Sequence, residues 1–506
     1  MADREIERED KFDVDASFRM PDLADLAPAG GSLRRETRHL RNVYFDTAEQ
    51  DLLRNRVTLR RRHGGPDEGW HLKLPADAGA RTEVRLPPDE ARLPPKRLRE
   101  VTAGLRRGRP VRQVAVLQTE RRAVQLLDAG GAVVAEVADD VVHASAGAVS
   151  DGALLSQWRE VEVELGPADG ADEARLAAIG DRLRAAGATP AGFASKLARA
   201  LAEPRSDAAT RGPASGSRPT GGPSTATAGG VVLAYLADQR AAIIAGDLAL
   251  RLGDDAIHPT RVATRRYRST VRTFATLFDQ DRAAALDAEL RWYAGVLGGV
   301  RDGAVMRERM AAAVADVPVS ARLGPVGGDI DQHLVADSAR HGTDLSRALD
   351  GRRYLALLTE LDAWLVDPPF TPPAQDPAAA VTALVAKAGR QVAKRLSIAL
   401  EQEDDDALHP ARKAAKRARY AAELAAPVLG AKKSERRVTR YTELQDILGE
   451  YQDSVVAAEL LLRLGREAGT RPGENGFAYG VLYAEELQRG RAARRRARKR
   501  LRKLAG

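Results

Sequence analysis

The alternation of apolar and charged residues divides this chain into two halves with different secondary structure. In residues 1–203, short segments alternate with a period of two, which predicts β-strands with one apolar and one charged face. Residues 229–506 are rich in Ala, Leu and Arg at helical spacing, which predicts an almost wholly α-helical half. Between them, residues 204–228 are rich in Pro, Gly, Ser and Thr without an apolar period, which predicts a flexible linker.

The predicted strands sort their charges by sign. The first carries Glu7, Glu9 and Lys11 on one face. Later segments carry Arg60 with Arg62, Lys73, Arg85, Glu136 with Asp140, and Glu160 with Glu162. Half-solvated antiparallel strands also alternate, but a solvent face needs no sorting by sign. A closed barrel with a charged interior would explain it.

These residue types together are typical of phosphoryl transfer. Paired carboxylates supply the oxygen ligands that Mg²⁺ or Mn²⁺ prefers. Arginine and lysine hold phosphate oxygens, and arginine can do so with two parallel hydrogen bonds. A hard metal, carboxylates and a cationic cradle are the elements from which phosphoryl-transfer sites are built.

The ordered motifs of residues 1–203 resemble the CYTH family, the triphosphate tunnel metalloenzymes. The family's Glu-x-Glu-x-Lys signature fits Glu7, Glu9 and Lys11, and further matches end with Ser195-Lys196-Leu197. The resemblance implies an α+β domain with an eight-stranded antiparallel tunnel that binds a triphosphate and a divalent metal. Family members hydrolyse tripolyphosphate or thiamine triphosphate, or cyclise ATP.

The resemblance also implies roles for individual residues. Metal would be held by Glu7, Glu9, Glu160 and Glu162, with Glu136 and Asp140 on a later acidic strand. Asp139 is the alternative to Asp140, and strand parity favours Asp140. Phosphates would be held by Lys11, Arg60, Arg62, Lys73, Arg85, Arg121 and Lys196. Glu9 or a neighbouring carboxylate would orient water, and Lys11 would act beside it.

The helical half contains a duplicated motif. His258, Arg261, Arg265 and Arg268 recur 151 residues later as His409, Arg412, Lys416 and Arg419. The same shift carries Leu297-Gly298 onto Leu448-Gly449 and Asp302 onto Asp453. In a helix, each set of four forms one solvent-facing stripe, and the His-Pro pair suits a helix start. A long polyanion would relieve the repulsion within each stripe.

These paired helices resemble the CHAD domain. The resemblance implies an all-α domain of two pseudo-symmetric helical bundles, with repeats at about 229–365 and 381–506. It also implies that inorganic polyphosphate binds the basic surface through the eight residues of the two stripes.

Composition narrows the setting and the partners. The 506-residue chain has no cysteine and a net charge of +8, which suggests a cytoplasmic protein with an anionic partner. Association with polyphosphate granules is an added expectation. Aromatic residues make up 4%, too few for base stacking, so no nucleic acid is expected. The N-terminus is charged from its third residue, so no signal sequence is expected, and no apolar run approaches the length of a membrane span.

The predicted function is metal-dependent hydrolysis of tripolyphosphate or a related triphosphate, with long-chain polyphosphate bound by the helical domain. The main alternative is a non-catalytic polyphosphate-binding adaptor. Thiamine triphosphatase and adenylate cyclase activities are further alternatives.

Overall fold

The computed structural model describes residues 3–76, 80–147, 154–166, 173–202, 225–401, 405–471 and 475–505. Contacts within the chain divide it into two units, Met1–Arg218 and Pro219–Gly506. Most of the predicted linker, residues 204–228, lies outside the described residues. At its end, Thr227 caps the first helix of the second unit, and its side chain accepts a hydrogen bond from the Gly230 N–H.

The first unit is an antiparallel sheet of ten strands with four short helices. The strands are β1 Asp3–Glu7, β2 Glu9–Asp13, β3 Ser32–Asp46, β4 Thr58–His63, β5 Gly69–Pro75, β6 Arg81–Leu86, β7 Arg112–Leu127, β8 Val133–Ala146, β9 Leu154–Leu165 and β10 Thr189–Pro190. The helices are α1 Asp51–Arg54, α2 Lys96–Val101, α3 Glu173–Ala185 and α4 Lys196–Ala200. The strand order is β1-β6-β5-β4-β3-β7-β8-β9-β2-β10.

The predicted count of eight strands is wrong, because the first strand is interrupted. Arg8 separates β1, which pairs with β6, from β2, which pairs with β9. The carbonyl of Arg8 accepts a hydrogen bond from the Leu165 N–H at 3.1 Å. The short strand β10 adds to the edge of β2. Because β1 and β2 are adjacent in the chain, the two sides of the hydrogen-bonded order approach each other at Arg8 and the sheet curves around its charged face. The order of the described strands is open rather than a closed ring, so the predicted closed barrel is not confirmed.

The apolar face of the sheet packs outward against helix α3. Phe12, Val161 and Val163 form a core with Ile179 and Leu183 of α3, and all five are at most 2% exposed. Alternate residues of β2 and β9 therefore point the other way, toward the concave side. The period of two seen in the sequence thus separates a hydrophobic outer layer from a charged inner one.

The second unit is helical in all its major elements, as predicted. Its helices are α5 Ala228–Leu252, α6 Ile257–Thr273, α7 Gln280–Asp316, α8 Val326–Asp350, α9 Arg352–Val366, α10 Val381–Glu401, α11 Asp405–Leu424, α12 Ala426–Leu429, α13 Ala431–Ala468 and α14 Phe477–Ala505. The longest, α7 and α13, follow α6 and α11, which carry the duplicated motif. Pseudo-symmetry between the two halves stays a prediction.

The long helices join separate hydrophobic clusters. The first half of α13 packs Leu444 against Leu396 of α10 and Ala415 of α11. Its second half places Leu461 in another cluster with Met310 of α7 and Leu482 of α14. Because α13 belongs to both clusters, the unit behaves as one packed body.

One helix in the described part of the chain is apolar enough to span a membrane. Helix α5 meets that criterion by length and composition, contrary to the expectation from its sequence, although half of the relevant window is buried. Val232, Leu236 and Ile243 of α5 are fully buried. A single helix of this kind is weak evidence for a span, because the core helix of a soluble protein meets the same criterion.

Candidate functional site

A cavity of about 390 Å³ lies on the concave side of the sheet and is lined by strands β1 to β9 and helix α4. We call it the charged cavity. Its acidic side chains are Glu5, Glu7, Glu9, Asp67, Glu83, Glu136, Asp140, Glu162 and Glu164. Its basic side chains are Lys11, Arg38, Arg60, Arg62, Lys73, Arg81, Arg85, Arg121 and Lys196. Nine of each sign leave the lining without net charge when all are ionised.

The two signs occupy different walls of the charged cavity. Seven of the nine carboxylates lie on β8, β9, β2 and β1, and seven of the nine cations lie on the consecutive strands β6, β5, β4, β3 and β7. Lys11 and Lys196 are the cations of the acidic wall. The cavity can therefore present carboxylate oxygens to a metal on one side and cationic groups to phosphate oxygens on the other.

Glu7 and Glu9 differ in how well their charges are compensated. Burial raises the pKa of Glu7 to about 7, although Lys73 lies 2.5 Å from its carboxylate. Burial would also raise the pKa of Glu9, but Lys11, 3.0 Å away, and Lys73 outweigh it and lower that pKa to about 2. At neutral pH Glu9 is ionised, whereas burial keeps the pKa of Glu7 near neutral even though Lys73 and Arg85 lie beside it.

A second group of charges is packed tightly at the start of helix α4. Arg121 donates hydrogen bonds to Asp140 at 2.7 and 2.8 Å and to Glu162 at 2.9 Å. The Lys196 ammonium lies 3.0 Å from Asp140, 2.7 Å from Glu162 and 2.6 Å from Glu160. Ser195 positions this lysine by capping α4, accepting a hydrogen bond from the Ala198 N–H at 3.1 Å. Two cations thus hold three carboxylates in place.

The structure changes two of the carboxylates predicted from the sequence. Glu160 does not line the charged cavity; its side chain lies against Lys196 and accepts a hydrogen bond from the Trp158 indole at 2.6 Å. Glu164 lines the cavity instead, because the register of β2 and β9 pairs Glu9 with Glu164 and Lys11 with Glu162. The sequence Glu160-Val161-Glu162-Val163-Glu164 contains two overlapping Glu-x-Glu motifs. The pairing of β9 with β2 places the second of them, Glu162 with Glu164, beside Glu9 and Lys11.

The later acidic strand, β8, presents one aspartate to each face. Asp140 lines the charged cavity, whereas Asp139 turns to the outer face, where Arg159 binds it at 2.8 Å through two nitrogens. Glu136 also lines the cavity and accepts hydrogen bonds from Arg38 at 3.1 and 3.2 Å and from Gln125 at 2.7 Å. The negative charges of Asp140 and Glu136 are therefore both compensated by arginine side chains.

Several lining residues were not among the predicted site residues. Arg38 lies on β3, where charges occupy both faces and conceal the period. Arg81 and Glu83 alternate with Arg85 on β6 and share its inner face. The buried His71 ring lies 2.9 Å from the Glu83 carboxylate and 2.7 Å from the Asp67 carbonyl, so it positions both. His71 itself does not line the cavity.

The duplicated motif brings its cations together on neighbouring helices α6 and α11. We call His258, Arg261, Arg265 and Arg268 with His409, Arg412, Lys416 and Arg419 the paired stripes. The expectation that they face solvent is wrong for all but His258, since the other seven side chains are half-buried. Burial, together with Arg265, Arg412 and Arg261, lowers the pKa of Lys416 to about 7. Burial and Arg261 likewise lower the pKa of Arg265.

The repeated Leu-Gly and Asp positions support the central arginines of the paired stripes. A Cβ added to Gly298 would lie 3.4 Å from the Arg261 guanidinium, and one at Gly449 would lie 3.5 Å from that of Arg412. Asp302 pairs with Arg261 at 2.9 Å. A Cβ at either position would make ordinary van der Waals contact, so both guanidinium groups lie close over the backbone of α7 or α13 at the positions that share the 151-residue shift.

The two copies of the motif start differently. Helix α6 begins at Ile257, beside His258, as the His-Pro pair predicted. Helix α11 begins earlier, at Asp405, so Pro410 lies inside the helix. Because proline has no backbone N–H, it cannot donate the helical hydrogen bond to the carbonyl one turn before it. The His409 ring lies 2.9 Å from the Gln452 side chain, whereas His258 is exposed.

The outer members of the paired stripes are held by their own partners. Arg268 donates a hydrogen bond to Asp287 at 2.9 Å. Arg419 lies over the Tyr420 ring, 4.7 Å from its centroid, with Glu423 at 3.8 Å. The uncompensated charge is thus concentrated on Arg265, Arg412 and Lys416 at the centre.

Comparison with known proteins agrees with this two-part organisation. The CYTH domain model matches residues 5–191 and the CHAD domain model matches residues 234–462. This chain belongs to the family of proteins that join a CYTH domain to a CHAD domain. Both resemblances seen in the sequence are confirmed. The CYTH family includes triphosphatases and cyclases.

Relatives of this CYTH–CHAD protein include uncharacterized proteins MT2285 and Rv2226 from two strains of Mycobacterium tuberculosis. Each is 36% identical over 99% of this chain and 96% of its own length. Among solved structures, PptA from Streptomyces chartreusis is 22% identical, covering 55% of this chain and 99% of its own, with a TM-score of 0.47. The CHAD domain from the plant Ricinus communis is 25% identical, covering 55% and 92%, with a TM-score of 0.45.

Proposed function

We propose that the CYTH domain hydrolyses tripolyphosphate or a related triphosphate with Mg²⁺ or Mn²⁺, and that the CHAD domain binds long-chain polyphosphate. The observation that supports the first part is the charged cavity, where carboxylates and cations occupy different walls. A plain anion-binding pocket would not need seven carboxylates on its acidic wall.

Charge balance favours a triphosphate that enters together with divalent metal. The lining has no net charge, so a triphosphate alone would bring several uncompensated negative charges into a cavity where burying charge is costly. A divalent cation on the acidic wall would offset them. The elevated pKa of Glu7 fits this, because burial disfavours its negative charge and a bound divalent cation would stabilise it.

In the described residues, no group of three or more Asp, Glu or His side chains is already arranged to hold a metal. The donor set nevertheless suits Mg²⁺ or Mn²⁺, since carboxylate oxygens are their preferred ligands. Glu7, Glu9, Glu162 and Glu164 would hold the metal, which would neutralise charge on the phosphates and polarise the scissile bond. Glu136 and Asp140, each bound by arginine or lysine, would support the walls, and Glu162 would have to exchange its contacts with Lys11, Arg121 and Lys196 for the metal.

The remaining residues would position the substrate and the water. Arg60, Arg62, Lys73, Arg85, Arg121, Lys196 and Lys11 would donate hydrogen bonds to phosphate oxygens, as would Arg38 and Arg81, which the structure adds. Glu9 is ionised at neutral pH, so its carboxylate can accept a hydrogen bond from the attacking water and orient it. The nucleophile would thereby stay aligned with a phosphoryl group held on the basic wall.

A substrate panel tests this proposal directly. We expect phosphate release from tripolyphosphate by the whole chain with Mg²⁺ or Mn²⁺, and none after chelation. Thiamine triphosphate, ATP and long-chain polyphosphate, each with and without metal, identify the preferred substrate. If tripolyphosphate bound but no phosphate were released with either Mg²⁺ or Mn²⁺, the protein would instead be a non-catalytic polyphosphate-binding adaptor. That alternative is favoured by the ion pairs that already occupy most of the cavity's carboxylates.

Polyphosphate binding should depend on pH through Lys416. Its pKa of about 7 lies below that of an ordinary lysine, so at pH 8 to 9 a bound polyanion must first draw a proton onto it. We therefore expect affinity to fall as pH rises above about 7. The stability of the free protein should change with pH in the opposite direction. Between about pH 7 and the ordinary pKa of lysine, the unfolded chain holds this proton and the folded protein does not, so the free energy of unfolding rises with pH in that range.

The matched variant is Lys416→Arg, which keeps the positive charge over the whole range. Isothermal titration of long-chain polyphosphate at pH 6.5 and 8.5, at constant ionic strength, measures the effect in both proteins. A pH dependence of equal size in the wild type and in Lys416→Arg would remove Lys416 as its cause.

A further inference from the structure

Another cavity, of about 320 Å³ and basic in its lining, lies in the helical unit between α6, α10 and α11. We call it the basic cleft. Its polar lining consists of Arg272, Thr273, Thr276, Lys387, Gln391 and Arg417, and the rest of its lining is Ala and Leu. Among the lining residues there is no carboxylate. The basic cleft therefore has a net positive lining, whereas the charged cavity has equal numbers of acidic and basic side chains.

The duplicated sequence shows what the basic cleft lacks. The 151-residue shift carries Arg266 onto Arg417 and Arg272 onto Glu423. On one side of the α6–α11 contact, Arg266 donates a hydrogen bond to Glu423 at 3.0 Å, and Tyr235 donates a second at 3.1 Å. On the other side, Arg417 faces the cleft together with Arg272, which stands at the position equivalent to Glu423. The ion pair of Arg266 with Glu423 is therefore replaced, at the equivalent positions Arg417 and Arg272, by two like charges.

The charge on Arg417 is not compensated elsewhere in the described residues, where its guanidinium forms neither a hydrogen bond nor an ion pair with protein. Burial lowers its pKa, and Arg272, Arg395 and Arg268 lower it further, whereas Glu423 outweighs burial and raises the pKa of Arg266. The same sequence position thus has opposite electrostatic surroundings in the two copies.

Other groups around the basic cleft point to an anion as the missing partner. Burial and the cations Arg268, Arg291 and Arg272 lower the pKa of Lys413, one turn before Arg417. Arg272 forms a long ion pair with Asp287 at 3.9 Å, but Asp287 already accepts a hydrogen bond from Arg268 at 2.9 Å. The Thr273 hydroxyl lines the cleft and is buried without a hydrogen-bond partner.

We propose that the basic cleft is a second phosphoryl-binding site, distinct from the charged cavity and from the central arginines of the paired stripes. Two guanidinium groups, a lysine, two hydroxyls and an amide supply hydrogen-bond donors suited to a tetrahedral oxyanion. No aromatic side chain is available in the lining to stack a base, so a nucleotide's base would gain nothing there. The phosphoryl group comes either from free orthophosphate or from one unit of a polyphosphate chain.

The decisive variant is Arg272→Glu, which installs in the cleft the ion pair that the other copy already has. A glutamate at this position faces Arg417 as Glu423 faces Arg266, so the variant should fold and should melt at a temperature no lower than the wild type. It removes a cation and occupies the remaining arginine. We expect orthophosphate affinity at this site to fall at least about tenfold, because charge-assisted hydrogen bonds are lost.

The measurement is calorimetric titration of the whole chain with orthophosphate and, separately, with long-chain polyphosphate at low ionic strength. Arg347→Glu, an exposed position on α8 bound by Asp344, is the control with the same change in net charge. Loss of one bound orthophosphate in Arg272→Glu alone supports a site for the free ion. Loss of affinity for long-chain polyphosphate alone supports a site for one unit of the chain.

Two results would overturn the proposal: unchanged binding of both ligands in Arg272→Glu, or an equal loss in Arg347→Glu, which would make the effect one of bulk charge. Turnover of tripolyphosphate by Arg272→Glu should match the wild type, because the charged cavity is untouched. An incorrect proposal for the basic cleft can therefore be told apart from an incorrect proposal for the hydrolase activity.

Discussion

Replacing Glu7 by glutamine should reduce metal-dependent turnover of tripolyphosphate by about 10²–10³-fold, the usual cost of losing one group that stabilises a developing charge. The reason is that burial raises the pKa of Glu7 to about 7 even though Lys73 lies 2.5 Å away, so its carboxylate would be stabilised by a bound divalent cation. Glutamine keeps its shape but cannot offer an anionic ligand. Because a poorly compensated charge destabilises the folded protein, its removal should leave the free energy of unfolding equal or higher at pH 8.

Opposite changes in activity and stability separate this role from a structural one. Phosphate release and thermal unfolding, each with and without Mg²⁺, measure both, and Mg²⁺ should raise the melting temperature less in Glu7→Gln than in the wild type. Glu120→Gln is the control, since Glu120 lies on the outer face of β7 beside Arg122. Wild-type turnover in Glu7→Gln would refute the metal assignment, and a large loss of stability would make Glu7 a structural ion-pair partner.

Neutralising the centre of either paired stripe should weaken binding of long-chain polyphosphate by about 10–100-fold. The variants are Arg261→Ala with Arg265→Ala, and Arg412→Ala with Lys416→Ala. Each removes two cations whose hydrogen bonds to phosphate would contribute roughly 1.5–3 kcal/mol apiece before compensation. Fewer counterions would be released on binding, so the dependence of affinity on salt should also become shallower. Turnover of tripolyphosphate should stay at the wild-type level.

The melting temperatures of the variants show whether these cations stabilise the fold or serve to bind the polyanion. Arg265 and Lys416 repel their neighbours in the free protein, so removing them should not lower the melting temperature by much. Arg340→Ala with Arg347→Ala on α8 removes the same charge from exposed positions that pair only with neighbouring aspartates. Equal affinities in the control and in both stripe variants would show that the paired stripes are an ordinary basic surface.

Local sequence determined the features that repeat at short range. A period of two in β2 and β9 separated the apolar residues around Phe12 from the charged ones, because successive side chains of a strand point to opposite faces. Glu7, Glu9 and Lys11 could be predicted in the charged cavity for that reason, and parity pointed to Asp140. The 151-residue shift likewise identified both paired stripes, because duplicated helices keep their residue spacing.

Tertiary structure decided which of these residues meet, because pairing between distant segments is not encoded in a local period. The register of β2 with β9 brings Glu164 rather than Glu160 into the charged cavity, and the folding of β3 beside β7 adds Arg38. The half-burial of Lys416, and hence its low pKa, arises only when α11 lies against α6. Arg272 and Arg417 are far apart in sequence, and only packing places their two positive charges in one cleft, where burial lowers the pKa of Arg417.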